Sequence, residues 1–334
     1  MVDKQLSIVI PTYNRANFLD YSLETHIPLA RRYSIQIYIF DNASTDATEV
    51  VVKKWMKQYI HLIYHKHETN IGGIMNFEYA LKYPQTDYIW LIGDTYKINN
   101  SVIDYVVKVL NTTNHKLDAI VLNLQGRINI PTKNYTDANL LLNELGGLMT
   151  CAAISILSKN MIKEEILQRY RLVWFTHTAI IFEAIANKDF LIHWVQKQSI
   201  EGLEHSSLNK TNWSHTSKAF EIGCEDWTNF VMSLPLSYKI HNKMKCIMDF
   251  GKVSGLFTLK NLIFLRFREI LTFTLFKKYR TLFQLTIDLP LITIFILSII
   301  PKFFLQIIGI IMILLFKNEK KLKIKLLLSK KDNH

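Results

Sequence analysis

Four short apolar runs in the first hundred positions each end in a cluster of small and polar residues. The runs are residues 6–10, 36–40, 61–65 and 88–92, and a helical pattern follows each polar cluster. This alternation predicts a βαβ series, which builds a parallel sheet. Because the carboxyl ends of parallel strands meet at one edge of the sheet, the polar clusters predict a ligand-binding crevice there.

The middle of the chain continues this pattern less regularly. Residues 119–123 predict a fifth strand, and residues 190–194 predict a further short one. Apolar spacing predicts helices at 161–170 and 176–187. The polar stretch 126–150, between the strand at 119–123 and the first of these helices, is typical of a loop that forms a lid or contacts a substrate.

The last hundred residues differ in kind. Residues 261–285 alternate apolar clusters with Arg and Lys, which is typical of a helix lying at a membrane interface. The stretch 289–316 is 28 residues long and almost entirely apolar, but Pro301 divides it. Since the Lys-rich flank 317–331 favours the cytoplasmic side, we predict a hairpin or surface-lying form rather than a true span. A buried helical subdomain is the alternative.

Charge and cysteine content support this interpretation. The net charge is +12, and residues 260–334 hold 14 Lys and Arg against 4 Asp and Glu, a net charge of +10. These cations alternate with Leu, Ile and Phe, which favours an anionic membrane surface over a nucleic acid as partner. The three scattered cysteines, Cys151, Cys224 and Cys246, indicate a reduced, cytosolic setting. We therefore expect a peripheral or monotopic protein at the cytoplasmic face of the cell membrane, without a signal peptide.

Four sequence motifs carry a resemblance to a known family. In chain order they are LSIVIPTYNRANFLDYSLET, IFDNASTDATEVV, HETNIGGIMNFEYAL and DYIWLIGD. Over residues 5–125 the chain resembles the inverting family 2 glycosyltransferases of GT-A fold, particularly bacterial O-antigen and capsule enzymes of the abequosyltransferase-like kind. The resemblance implies an α/β, Rossmann-like nucleotide-sugar-binding domain followed by a helical, membrane-associating region.

The same resemblance implies a division into three segments. Residues 1–125 would bind the donor, residues 126–235 would form the acceptor-binding and catalytic half of the same GT-A domain, and residues 236–334 would associate with the membrane. The expected reaction moves a sugar from a nucleoside diphosphate sugar to a saccharide acceptor, with inversion. The basic, apolar tail favours an acceptor carried on a polyprenyl diphosphate. Alternatives are transfer to a polyprenyl phosphate itself, or a catalytically silent GT-A scaffold at the membrane.

The resemblance also implies which residues contact the donor. Asp41 would accept a hydrogen bond from the base or ribose, although an Asx-turn role is the alternative. Gly72 and Gly73 allow the backbone to approach a diphosphate at a helix start. The full expected donor set is Pro11, Thr12, Tyr13, Arg15, Asp41, Asn70, Gly72, Gly73, Asn76 and Asp94. Asp46, with Glu49 three residues later, predicts a capping box at the next helix.

Asp94 is the expected metal ligand. The family normally carries Asp-x-Asp here to hold Mn²⁺ or Mg²⁺ against the leaving diphosphate. This chain reads Gly-Asp-Thr-Tyr at residues 93–96, so only one carboxylate is present. Arg15 or Lys97 could instead offset the diphosphate charge, and His205 or His215 could supply a distant ligand.

Two residues compete for the role of general base. An inverting transfer needs a group that takes the proton of the acceptor hydroxyl. His177 opens a helix after the predicted acceptor loop, where the family usually places its base. Asp226, in the pair Glu225-Asp226, is the rival. The alternatives are a packing role for His177 and a solvated helix face for Asp226.

Overall fold

The computed structural model describes residues 5–113, 116–171, 173–203, 213–301 and 303–304. The chain divides into two compact units. The first comprises Met1–Thr211 and Asn229–Cys246, and the second comprises Asn212–Thr228 and Ile247–His334. These limits do not follow the predicted divisions at 125 and 235, which remain predictions about donor and acceptor function.

A nine-stranded mixed sheet forms the centre of the first unit. Its strands are β1 (Leu6–Thr12), β2 (Gln36–Asp41), β3 (Leu62–Lys66), β4 (Tyr88–Leu91), β5 (Tyr96–Lys97), β6 (Ala119–Leu124), β7 (Lys133–Tyr135), β8 (Ser155–Ser158) and β9 (Ile192–Gly202). The order is β3-β2-β1-β4-β8-β6-β9-β5, with β7 also pairing β9. The strands β3, β2, β1 and β4 are mutually parallel, and β6 and β9 are parallel to each other. The predicted α/β class is confirmed.

Helices flank this sheet and make up most of the second unit. They are α1 (Ala16–Tyr33), α2 (Thr48–Met56), α3 (Gly73–Lys82), α4 (Asn100–Thr112), α5 (Ala138–Leu145), α6 (Glu164–Arg169), α7 (Thr176–Ile185), α8 (Lys218–Phe220), α9 (Trp227–Ser233), α10 (Ile240–Val253), α11 (Leu259–Phe267), α12 (Phe273–Thr286) and α13 (Leu291–Ile299). A π-helical segment, Glu221–Asp226, lies between α8 and α9.

The parallel half of the sheet explains why its strands read as unbroken apolar runs. In β1 the side chains of Leu6, Ile8, Val9 and Ile10 are fully buried. Helices cover both faces of a parallel sheet, so successive residues on opposite faces are both removed from water. The same burial leaves the strand ends as the place where polar residues can meet a ligand.

The stretch 126–150 is not the plain loop that its polarity predicted. It contains β7, helix α5 and a 3₁₀ turn at Leu148–Thr150. The Asp137 carboxylate caps α5 by accepting from the Asn139 and Leu140 amides. Leu141, Leu142 and Leu145 are buried, so three leucines stabilise a helix within a mostly polar segment.

Two further local predictions need correction. The strand predicted at 190–194 is β9, which extends to Gly202 because it pairs with β5, β6 and β7. Asp46 does not form the predicted capping box, since Ala47 occupies the N-cap position of α2. Its carboxylate accepts instead from the Ala16 amide at the start of α1 and from the Thr48 amide.

The second unit is helical in the described residues. The predicted interfacial helix 261–285 is two helices, α11 and α12, separated where Glu269 adopts a left-handed φ of 60°. Helix α13 ends before Pro301, and none of the helices in the described ranges is long and apolar enough to cross a membrane. Residues 305–316 of the predicted apolar run, and the Lys-rich flank after it, lie outside the described residues.

Candidate nucleotide-sugar site

Three polar residues meet where β1, β2 and β4 end. Thr12 lies opposite Asp41 in the register of β1 and β2. The Thr12 hydroxyl donates to Asp94 Oδ2 at 3.3 Å, and Arg15 Nη1 lies 3.5 Å from Asp94 Oδ1. All three of Thr12, Asp41 and Asp94 are buried. The predicted crevice at this edge of the sheet therefore has a defined polar floor.

Asp94 is a buried carboxylate with a cationic partner beside it. Asp94 follows the apolar strand β4 after two further residues, Ile92 and Gly93. This position places Asp94 at the edge of the sheet. A buried charge needs compensating partners. The guanidinium of Arg15, whose side chain is about one-third exposed, supplies one and still faces solvent. Arg15 can therefore turn toward an anionic ligand without leaving this corner of the molecule.

Asp41 organises the loop that follows β2. Its Oδ1 accepts from the Ser44 amide at 2.8 Å, and its Oδ2 accepts from the Tyr64 hydroxyl at 2.6 Å. Burial and this hydrogen bond raise the pKa of Tyr64, which stays a neutral donor. Asp41 is fully buried. The Asx-turn alternative is thus present in the structure, and any effect of Asp41 on a donor passes through the loop it holds.

The loops after β1 and β2 are bound to each other. The Asn14 amide donates to Ser44 Oγ, and the Thr45 amide donates to Asn14 Oδ1, both at 2.8 Å. Asn14 and Ala43 adopt left-handed φ values of 51° and 61°. Non-glycine residues in this region are strained, and such strain concentrates at functional sites. Sequence reasoning missed Asn14, although its place between the expected donor residues Tyr13 and Arg15 was a usable signal.

The turn before α3 belongs to the same corner. The Asn42 side chain donates to Asn70 Oδ1 and accepts from the Ile71 amide, each at 2.9 Å. Gly72 has a φ of +86°, and a Cβ added at Gly72 or Gly73 would meet nothing within 4 Å. Glycine is thus required at Gly72 by backbone conformation, and the turn faces open space that a ligand can occupy.

Three further residues of the expected donor set differ in their surroundings. Tyr13 is 44% exposed beside the crevice, and Pro11 is half-buried. Asn76 is buried, its amide donates to the Phe40 carbonyl at 3.0 Å, and its oxygen lies 3.0 Å from His67 Nε2. Both ends of that side chain bind protein groups, so Asn76 holds α3 against β2 rather than presenting its amide to a donor.

The environment of His177 argues against a role as general base. The ring is buried, and its Nε2 lies 2.9 Å from the Thr150 carbonyl oxygen, to which it donates. Burial lowers the pKa of His177 to about 4, so the ring is neutral near pH 7 and accepts a proton poorly. It also packs against Phe77, with ring centroids 5.8 Å apart. The packing alternative describes this residue.

Asp226 lies in the second unit, at the end of the π-helical segment Glu221–Asp226. Burial, together with the carboxylates of Glu221 and Glu225, raises the pKa of Asp226. A carboxylate with a raised pKa is a stronger base. Single π-helical turns are also frequent at functional sites. Of the two predicted bases, Asp226 is the one whose pKa is shifted in the direction that favours proton acceptance, and its catalytic role stays a prediction.

A metal ion at this site would have one protein ligand. Among the described residues, no three His, Cys, Asp or Glu side chains form a group that could hold a metal ion. Tyr96, which stands at the second carboxylate position of the family motif, binds Cys151, and this contact and burial raise its pKa. Mg²⁺ can be bound by a single protein carboxylate when phosphate oxygens and water molecules complete its coordination shell. Asp94 is compatible with this type of binding. Of the distant histidines, His205 lies outside the described residues, and His215 packs against Phe264 in the second unit.

Comparison with known proteins agrees with this geometry. The family model for glycosyl transferase family 2 matches residues 7–137. An abequosyltransferase of Salmonella typhimurium, RfbV, is 36% identical over 91 residues, which are 26% of this chain and 27% of that protein. An uncharacterized glycosyltransferase of Rickettsia typhi is 29% identical over 118 residues, 35% of each chain. The alignments thus span about a third or less of these relatives' lengths.

Solved structures extend the likeness of fold beyond the matched segment. S. aureus TarS 1–349 in complex with UDP-GlcNAc superposes with a TM-score of 0.54 at 16% identity, covering 78% of this chain and 75% of that one. A mannosyltransferase of Pyrobaculum calidifontis in complex with GDP-Man and Mn²⁺ gives 0.52 at 15% identity, covering 90% and 87%. The fold is thus GT-A-like, and the N-terminal segment, residues 7–137, matches the model of glycosyl transferase family 2.

Proposed function

We propose that this protein is an inverting glycosyltransferase that moves a sugar from a nucleoside diphosphate sugar to a saccharide acceptor during cell-surface polysaccharide synthesis. The observation that carries the proposal is the buried Asp94 carboxylate between Thr12 and Arg15 at the carboxyl edge of the sheet. The match of residues 7–137 to the glycosyl transferase family 2 model and the similarity to an abequosyltransferase support this reaction class. The structures with UDP-GlcNAc and GDP-Man support a nucleoside diphosphate sugar as donor.

The chemistry assigns each group a task. The acceptor oxygen attacks the anomeric carbon from the face opposite the leaving group, and the bond from that carbon to the β-phosphate oxygen breaks. The nucleoside diphosphate leaves with the bonding electron pair, and the base takes the acceptor proton. Arg15 stabilises the developing negative charge, and Asp94 holds Arg15 in place. A Mn²⁺ or Mg²⁺ ion on Asp94 would neutralise the same charge when bound.

Substitution of Asp41 tests the proposed donor site through its effect on nucleotide affinity. Asp41→Asn should weaken nucleotide binding by roughly tenfold, because an amide cannot accept from both the Ser44 amide and the Tyr64 hydroxyl as the carboxylate does. Tyr64→Phe removes only one of these hydrogen bonds and should have a smaller effect. Isothermal calorimetry with UDP, GDP, CDP and dTDP, with and without Mn²⁺, measures both variants.

An assay of turnover with the corresponding nucleotide sugars then distinguishes an active glycosyltransferase from a catalytically silent scaffold. The transferase releases the nucleoside diphosphate when acceptor is present, whereas a scaffold releases none. Wild-type nucleotide affinity in Asp41→Asn would refute the assignment of this loop to the donor.

We further propose that the acceptor is linked to a polyprenyl diphosphate and that the second unit holds the protein on an anionic membrane at its cytoplasmic face. Helix α13 exposes Ile292, Ile296 and Ile299, spaced as one helical face. The preceding helix α12 exposes Lys277 and Arg280. Exposed apolar residues supply insertion energy, and each Lys or Arg near an anionic surface adds about 1 kcal/mol.

Vesicle flotation of the full-length chain tests the membrane proposal. Replacing Ile292, Ile296 and Ile299 together by Ser should reduce binding to phosphatidylglycerol vesicles by about tenfold or more, since three exposed apolar side chains lose their insertion energy. High salt alone should leave wild-type binding largely intact, because apolar insertion is not screened. The matched control replaces three exposed apolar residues outside α13, namely Ile60, Leu236 and Ile240, by Ser. Equal flotation of both triple variants would contradict the proposal.

A further inference from the structure

A second polar cleft opens in the first unit beside β5. Its volume is about 520 Å³, and its lining includes Tyr21, Lys97, Gln125, Ser199 and Glu201. The cleft joins one helix, α1, to the carboxyl ends of β6 and β9, which are parallel neighbours. Its size lies in the range of small-molecule sites. None of the ten residues of the expected donor set lines it, although Lys97 is one of the two cations that could instead offset the diphosphate charge.

The two charged residues of the cleft face each other without pairing. Lys97 and Glu201 are directly opposite in the antiparallel register of β5 and β9. Opposite charges in such positions ordinarily attract each other across the strands. In the part of the chain that the structure describes, however, neither side-chain charge makes a hydrogen bond or an ion pair. Among the described residues, no side chain thus competes with a ligand for these two charged groups.

The loop that contributes Gln125 and Gly126 to the cleft holds Gln125 in a strained conformation. Gln125 and Gly126 have consecutive left-handed φ values of 52° and 65°. The Gly126 amide donates to Ser199 Oγ at 2.9 Å, and the Gln125 amide donates to the Ile200 carbonyl at 3.0 Å. Arg127 donates to Gln125 Oε1 at 2.8 Å, which orients the Gln125 amide group. A costly conformation fixed by three hydrogen bonds gives the cleft a preformed polar wall.

We propose that this cleft binds one ring of a neutral saccharide. The Glu201 carboxylate can accept from neighbouring ring hydroxyls, the Lys97 ammonium can donate to others, and the Gln125 amide adds a further polar contact. An adjacent cation and anion sum to no net charge, so the cleft suits a neutral polyhydroxyl ligand better than a second phosphate or a cation.

The position of the cleft assigns this ring a role in the proposed transfer reaction. The inference therefore rests on the proposed function. Lys97 follows Asp94 by three residues, and three residues of chain span at most about 11 Å. The cleft therefore lies close to the donor site without sharing its residues. A ring held there belongs to the acceptor saccharide. Lys97 and Glu201 then determine the specificity of the protein for that saccharide.

Binding of simple sugars to the full-length protein tests the inference. The probes are the methyl glycosides of glucose, galactose, mannose and rhamnose, followed by saturation-transfer NMR. At least one should bind saturably, and Lys97→Met and Glu201→Gln should each weaken it by roughly tenfold, the scale for a hydrogen bond to a charged group. The control variants Lys108→Met and Glu24→Gln remove equally charged exposed residues from α4 and α1 and should have no effect.

Nucleotide binding, measured in parallel by thermal shift, keeps the two proposals separable and also verifies that each variant is folded. If UDP, GDP, CDP or dTDP binds but no glycoside does, the cleft inference is wrong and the donor site stands. Glycoside binding that both cleft variants leave unchanged also overturns it. If glycosides bind through Lys97 and Glu201 while no nucleotide binds, the saccharide site is real and the transferase proposal fails.

Discussion

Replacing Asp94 by Asn should lower sugar transfer by roughly 10²–10³-fold, the scale for losing one charged group at a site of developing charge. The buried carboxylate holds Arg15 at 3.5 Å and accepts from Thr12 at 3.3 Å. Asn retains an oxygen that accepts from Thr12, but it removes the charge that positions Arg15 and that would hold a metal ion. The thermal stability should change little, because Arg15 is partly exposed and can be solvated.

Initial rates of nucleoside diphosphate release, with melting temperature measured on the same samples, test this prediction. Asp104→Asn is a suitable control. Asp104 also accepts from an arginine, Arg32, at 2.6 Å and from the Tyr33 hydroxyl at 2.8 Å, but it lies on the surface helix α4. This variant should retain wild-type turnover. Undiminished turnover in Asp94→Asn would show that the β4 terminus is not part of the donor site.

Asp226→Asn should lower kcat by roughly 10²–10⁴-fold while donor affinity stays unchanged, since general-base catalysis contributes on that scale. His177→Gln should affect kcat far less, because Gln can still donate to the Thr150 carbonyl that now anchors the ring. The contrast follows from environment. Burial lowers the pKa of His177 to about 4, whereas burial and two neighbouring carboxylates raise the pKa of Asp226.

Steady-state kinetics over a range of pH separate these two residues. The base must be ionised to act, so wild-type kcat should fall as pH drops through the raised pKa of Asp226, and this limb should disappear in Asp226→Asn. Glu221→Gln removes one of the carboxylates that raise the pKa of Asp226, so it should shift this limb to lower pH without abolishing turnover. A large kcat loss in His177→Gln together with near-normal Asp226→Asn would restore His177 as the base.

The local sequence was sufficient for the parallel half of the sheet. Unbroken apolar runs predicted β1, β2, β3 and β4, and the polar residues after them predicted the ligand edge. Burial on both faces gives these strands an unbroken apolar composition, which the sequence shows directly. Asp94 was identifiable because it is a charged residue that follows such a strand.

The sequence was less informative between residues 126 and 150. Helix α5 depends on Asp137 as its cap and on three leucines whose burial comes from the rest of the fold. Strand β9 gains most of its length by pairing with strands far away in sequence. Short segments of this kind are stabilised by tertiary contacts rather than by propensity, so local pattern cannot predict them.

By itself, the sequence determined the fold class, the strand ends that bear Thr12, Asp41 and Asp94, and the basic, apolar character of the tail. Only the tertiary structure decided what each polar side chain does. It committed Asn76 to the Phe40 carbonyl and buried His177 against Thr150. Within the described ranges, it left Lys97 and Glu201 without an ion-pair partner beside a cleft. The physical reason is that a side chain's pKa and hydrogen-bond partners depend on burial and on distant residues, which the local pattern of a sequence does not contain.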